Sequence, residues 1–121
     1  MPRATIDDVS FSDVPTVSVA DVPEAGDGVV ILDVREADEW NSGHAPGAQH
    51  IPIGEVPARI EDIDIDAEVY VVCRQGGRSL GVVAYLNNIG FDAFQVDGGM
   101  VAWQRNGLPL ASDGDIPAKI F

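Results

Sequence analysis

The sequence predicts an α/β domain built on a buried parallel sheet. Three observations lead there. Short apolar runs alternate with amphipathic segments along the chain, the pattern of strand-helix units feeding one sheet. Two of those runs, VVILDV at Val29 to Val34 and EVYVVC at Glu68 to Cys73, are β-branched and nearly continuous, as strands buried on both faces are. The 121 residues also suffice for one ordinary core without disulfides or structural metal, so a single domain spans 1–121, with its core at about 16–110.

Each element follows from local signals. The first dozen residues lack periodicity and read as a flexible arm, after which Thr16 to Val19 is a short strand. Val29 to Val34 is the first central strand. Glu36 to Ser42 is a short helix, closed by Gly43 at the usual C-terminal position. HAPGAQHIPI then supplies a turn and a brief strand at Gln49 to Ile51, and Val56 to Ile60 one or two helical turns with Pro57 in the first. Glu68 to Cys73 is the second central strand. Ser79 to Ile89 is the clearest helix, capped by Ser79 and stopped by Gly90. Ala93 to Val96 is a further strand, Gly98 and Gly99 a turn, and Met100 to Asn106 a last helix ended by Gly107 and Pro109. The tail from Ser112 reads as a frayed terminus.

Composition narrows the function. Twenty acidic residues against seven basic ones give a formal net charge of −13, which repels phosphate-rich partners and argues against nucleic acid and anionic membranes. The charge itself is a solubility feature. A single cysteine excludes an internal disulfide, and one thiol with two scattered histidines is too little for a metal site. With no long apolar run, the expected setting is soluble, reducing and cytoplasmic.

Against this acidic background, two of the seven basic residues fall within CRQGGR, Cys73 to Arg78. Cys73 stands at the carboxyl end of a predicted central strand, where open α/β sheets place their ligand sites. The paired glycines allow backbone N–H groups to converge on an anion. A thiol at a helix N-terminus beside Arg74 and Arg78 is expected to ionise readily and act as a nucleophile.

These segments resemble the rhodanese family of single-domain sulfurtransferases. The resemblance runs from about Thr16 to Leu110, through ILDVREADEW, GHAPGAQHIP, YVVCRQGGRS and GGMVAWQRNGLP, in the family's order and spacing. It implies a rhodanese-like three-layer sandwich, a parallel sheet of about five strands with helices on both faces. It also implies a reaction, in which the thiolate takes the outer sulfur of a donor such as thiosulfate, holds it as a persulfide and yields it to a thiol, a protein or, in the test tube, cyanide. By position, Cys73 is then the nucleophile, and the N–H groups of the loop Arg74, Gln75, Gly76, Gly77, Arg78 and Ser79 stabilise the bound sulfur. Arg78 fills the family's arginine position, and either it or Arg74 is placed to meet a donor sulfonate. Asp33 and Arg35 match a supporting Asp-x-Arg pair. No cofactor and no metal are implied.

Other readings fare worse. Phosphatase loops of the phosphotyrosine type place one residue more between Cys and Arg than the four of RQGG, and the following helix, Ser79 to Asn88, has no acidic residue to protonate a leaving group. Arsenate reduction would need a resolving cysteine. His44 and His50 are read as structural, since an ionised thiol needs no base. Glu39 is expected to pair with a neighbour, and Trp40 and Trp103 to pack, with Trp103 and Met100 near the pocket mouth. The competing class is a non-catalytic binding or regulatory module that keeps the fold. In a domain this small the acceptor is expected to be a thiol or protein that completes the site.

Overall fold

The computed structural model describes residues 14–112 and 117–121. Five strands, β1 (Thr16–Val17), β2 (Val29–Asp33), β3 (Gln49–His50), β4 (Glu68–Val72) and β5 (Asp92–Val96), form one sheet in the order β1-β5-β4-β2-β3. Every pairing is parallel. The helices are α1 (Ala37–Ser42), α2 (Gly77–Asn88) and α3 (Gly99–Arg105), with short 3-10 turns at Val19–Asp21, Ile53–Glu55 and Pro57–Asp62. The expected α/β architecture is thus observed. Among the described residues no helix is long and apolar enough to cross a membrane.

Alternation along the strands sorts the core into two layers. Leu32, Val69, Val71, Cys73 and Ala93 face one side with Val82, Val83 and Leu86 of α2. Ile31, Tyr70, Val72 and Val96 face the other with Met100 and Trp103 of α3. A period of two in a doubly covered sheet requires apolar residues at every position, which is why β2 and β4 read as unbroken runs. The sheet's middle strand, β4, ends at Val72, and Cys73 follows it directly. Because Met100 and Trp103 are fully or almost fully buried in the layer opposite Cys73, they do not line a mouth above it, contrary to expectation.

Gly43 closes α1 at its C-cap as expected, with an extended φ of 169°. A Cβ there would sit 2.7 Å from the Lys119 main-chain N and O, and the glycine exists for that close approach. Two local expectations are corrected. First, α2 begins two residues before Ser79, with Gly76 as its N-cap, so Ser79 lies inside the first turn. Second, the last residues are not frayed. Ile120 is buried in the α3 layer, its main chain accepts from and donates to the Gln104 side chain, and Lys119 N–H donates to Ser42 O at 2.8 Å. The expected N-terminal arm lies outside the described residues.

Gly43→Ala should therefore pry this segment off. The expected result is faster proteolysis after Lys119 with the sheet intact, measured by mass spectrometry of a limited digest.

Candidate active site

The strand β4 delivers Cys73 to the start of α2, and the chain between them wraps the sulfur. Cys73 is 1% exposed. The N–H groups of Gly76 and Ser79 donate to Sγ at 3.1 and 3.4 Å, and Ser79 Oγ lies 3.3 Å away. Gly76 has a φ of 105°, which turns its amide inward, and a Cβ there would approach Gln95 Nε2 to 2.9 Å. Both the conformation and the space therefore demand glycine. The N–H groups of Gln75, Gly77 and Arg78, in the same loop and first helical turn, donate to no partner among the described residues. Sulfur also sits at the positive end of the α2 dipole.

The second layer of support comes from α3. Met100 and Val101 N–H donate to the carbonyls of Cys73 and Arg74, each at 2.9 Å, so the first turn of α3 is spent on the loop. This contact explains Gly99, at φ 56°, where any Cβ would collide with those same carbonyls.

Asp33 and Arg35 form a fully buried pair at the carboxyl end of β2. Arg35 donates to Asp33 through Nε and Nη2, at 2.7 Å for the latter, and reaches Gly43 O with Nη2 as well. Their side-chain hydrogen bonds run to each other, to Gly43 O and to Glu39 O, and none reaches Cys73 or its loop. His44 donates through Nδ1 to Trp40 O at 2.9 Å and stacks on the Trp40 ring at 3.6 Å between centroids. His50 stacks on the same ring at 4.7 Å and contacts Arg35 O through Nε2 at 2.8 Å. Both histidines are thus packing residues. Among the described residues no cluster of three metal-ligating side chains occurs.

The two loop arginines differ. Arg78 makes a fork with Glu39, Nη1 to Oε1 at 2.8 Å and Nη2 to Oε2 at 2.9 Å, which fixes the loop to α1. Glu39 is the neighbour-pairing residue expected, and it also accepts Glu36 N–H in a capping box. Arg74 instead gives only its Nε, to Phe121 O, so the rest of its guanidinium is uncommitted among the described residues. The structure also brings in a residue the sequence reading passed over, Gln95, whose side chain touches Gly76 and Ser79. Its signal was a lone polar residue in an internal strand. Two apolar grooves of about 450 and 530 Å³, beside Phe91 and beside Trp103, contain no residue of the loop.

The Arg78 hydrogen bonds hold the Glu39 carboxyl below its ordinary value of 4.5. A lowered folded value stabilises the protein above the unfolded value, and that contribution disappears as pH falls through the lowered one. Glu39→Gln should melt slightly below wild type at neutral pH, and the two curves should converge in acid below pH 4.5. A gap that persists there would point away from the ion pair.

A cysteine at the carboxyl end of the middle strand, cradled by a helix N-terminus, marks the candidate site of this parallel-sheet α/β domain. The comparisons identify which kind. The rhodanese-like domain profile matches residues 18–106, and the chain belongs to that family. It is 36% identical over 101 residues to "Putative sulfurtransferase YtwF" of Bacillus subtilis (strain 168), spanning 84% of this chain and 98% of that one. It is 35% identical over 85 residues to a protein named "Sulfurtransferase" from Allochromatium vinosum, spanning 69% and 79%. Among solved structures, a rhodanese-related protein from Thermoplasma volcanium superposes with a TM-score of 0.75 at 30% identity, covering 80% of this chain and 97% of that one.

Proposed function

We propose that the protein is a sulfurtransferase that carries a sulfane sulfur on Cys73. The observation that carries this reading is the buried Sγ under the two main-chain N–H donors of Gly76 and Ser79, at the start of α2. Such a cradle of amides suits a singly charged terminal sulfur, whereas the loop is one residue short of a phosphoryl cradle.

The Cys73 thiolate attacks the outer sulfur of thiosulfate, the donor's S–S bond breaks, its electron pair leaves on sulfite, and a new S–S bond forms on the protein. A thiolate acceptor, or cyanide, then attacks the outer sulfur and returns the Cys73 thiolate, so the kinetics are ping-pong. Arg74, with its Nη groups free, is the better residue to meet the sulfonate, because Arg78 is tied to Glu39. The natural acceptor is a thiol or protein of a reducing cytoplasm.

The test is intact-protein mass after thiosulfate, then after cyanide, with thiocyanate assayed. A gain of one sulfur, discharged by cyanide, supports the reading. No gain from thiosulfate or a polysulfide, with the thiol titrated as free, would assign the fold to a binding module instead.

A further inference from the structure

We propose that Gln95 is the positioning residue of the Cys73 cradle, acting through Gly76 and Ser79 and not on the substrate. The proposal rests on reading Cys73 as the sulfur carrier.

Gln95 is on β5, an internal strand, in register with Val71 of β4. Cys73 lies two residues beyond Val71, so alternation puts Gln95 and Cys73 on the same face of the sheet, beneath the start of α2. The side chain is 4% exposed, in a position where an apolar residue would ordinarily stand. Its Nε2 donates to Gly76 O at 2.7 Å, and its Oε1 accepts from Ser79 Oγ at 2.6 Å. The amide has one workable orientation. A carbonyl only accepts, so the nitrogen must face Gly76 O and the oxygen must face the hydroxyl.

The two residues so held are the same two whose N–H groups reach Sγ. One amide thus ties both ends of the cradle to the sheet that carries the cysteine. Two fixed distances follow from a single side chain: the loop's N-cap carbonyl and the first-turn hydroxyl cannot move without breaking a buried hydrogen bond. No other described side chain bonds to both. A polar side chain in an internal strand has no role in the sheet itself, and both side-chain polar atoms of Gln95 are spent on this loop.

The test compares wild type, Gln95→Met and Gln95→Glu, with rates normalised to titrated free thiol so that misfolded protein drops out. Methionine keeps the volume without the hydrogen bonds. Glutamate keeps the shape and the Ser79 contact, but its carboxylate meets Gly76 O acceptor to acceptor. Both variants should lose about tenfold in kcat for sulfur loading, the size expected for one or two buried hydrogen bonds, with KM for thiosulfate within about twofold. Combined with Ser79→Ala, the Gln95→Met loss should be smaller than on wild type, since the two share a contact.

Loss confined to KM, unchanged kcat in folded Gln95→Met, or fully multiplicative losses would overturn the proposal. Iodoacetamide alkylation of Cys73 provides a readout independent of sulfur transfer, and should slow in both variants. If wild type loads no sulfur yet alkylation slows as stated, the sulfurtransferase reading fails while the positioning role stands. Faster alkylation of Gln95→Met would mean that the freed Ser79 hydroxyl, turned onto the thiolate, outweighs the cradle, and the role would be withdrawn.

Discussion

Cys73→Ser should abolish sulfur loading while leaving the fold in place. Oxygen is smaller than sulfur and the site is a buried loop end with nearby donors, so the hydroxyl can take the Gly76 and Ser79 N–H groups without a new cavity of consequence. A serine hydroxyl does not ionise at neutral pH and forms no persulfide, so the carrier is lost and not just weakened. The expected fall in thiosulfate-to-cyanide turnover is at least about a thousandfold, as for other lost nucleophiles. Mass spectrometry should show no added sulfur, and the thermal midpoint should change little. Retained turnover in a verified Cys73→Ser sample would remove Cys73 from the reaction.

The largest expected effect on stability comes from Asp33→Ala. Asp33 and Arg35 are 0% and 1% exposed, and Asp33 accepts three side-chain hydrogen bonds and one main-chain one from Arg35. Removing the carboxylate leaves a guanidinium with no counter-charge in the interior, which costs about 3–5 kcal/mol. For a domain of this size that is a drop in melting temperature of roughly 15 °C or more. Replacing both partners, as Asp33→Val with Arg35→Met, should be more stable than the single variant, because no charge is stranded. Calorimetry of the three proteins checks the order. A double variant less stable than Asp33→Ala would show that the contacts of Arg35 to Gly43 and Glu39 outweigh its charge balance.

Much of this architecture was legible beforehand, and for definite reasons. β2 and β4 are buried on both faces, so their apolar runs needed no phase to be recognised. The loop was legible because its glycines and arginines stand out in an acidic chain. Ser79 misled because a serine before an apolar run imitates a cap; its hydroxyl is spent on Gln95, and the helix starts early enough to turn the Ser79 N–H onto the sulfur. Gln95 itself was out of reach, since its meaning depends on strand register, which one sequence does not display. The docking of Lys119 to Phe121 was hidden for a similar reason. Its contacts are mostly main-chain, and only Ile120 offers an apolar anchor.

The burial of Cys73 has a consequence for chemoselectivity. A persulfide extends the side chain by about 2 Å, one S–S bond length. On the proposed reading the inner sulfur keeps the burial of Cys73 Sγ, and the outer, transferable atom is the one the loop amides stabilise. An incoming nucleophile therefore meets the cargo first and is screened from the carrier. Attack at the wrong sulfur would expel hydrosulfide and leave a mixed disulfide on Cys73, and the chain has no second thiol to undo it. On the proposed persulfide reading, a recessed carrier is thus a protection against self-capping and favours delivery.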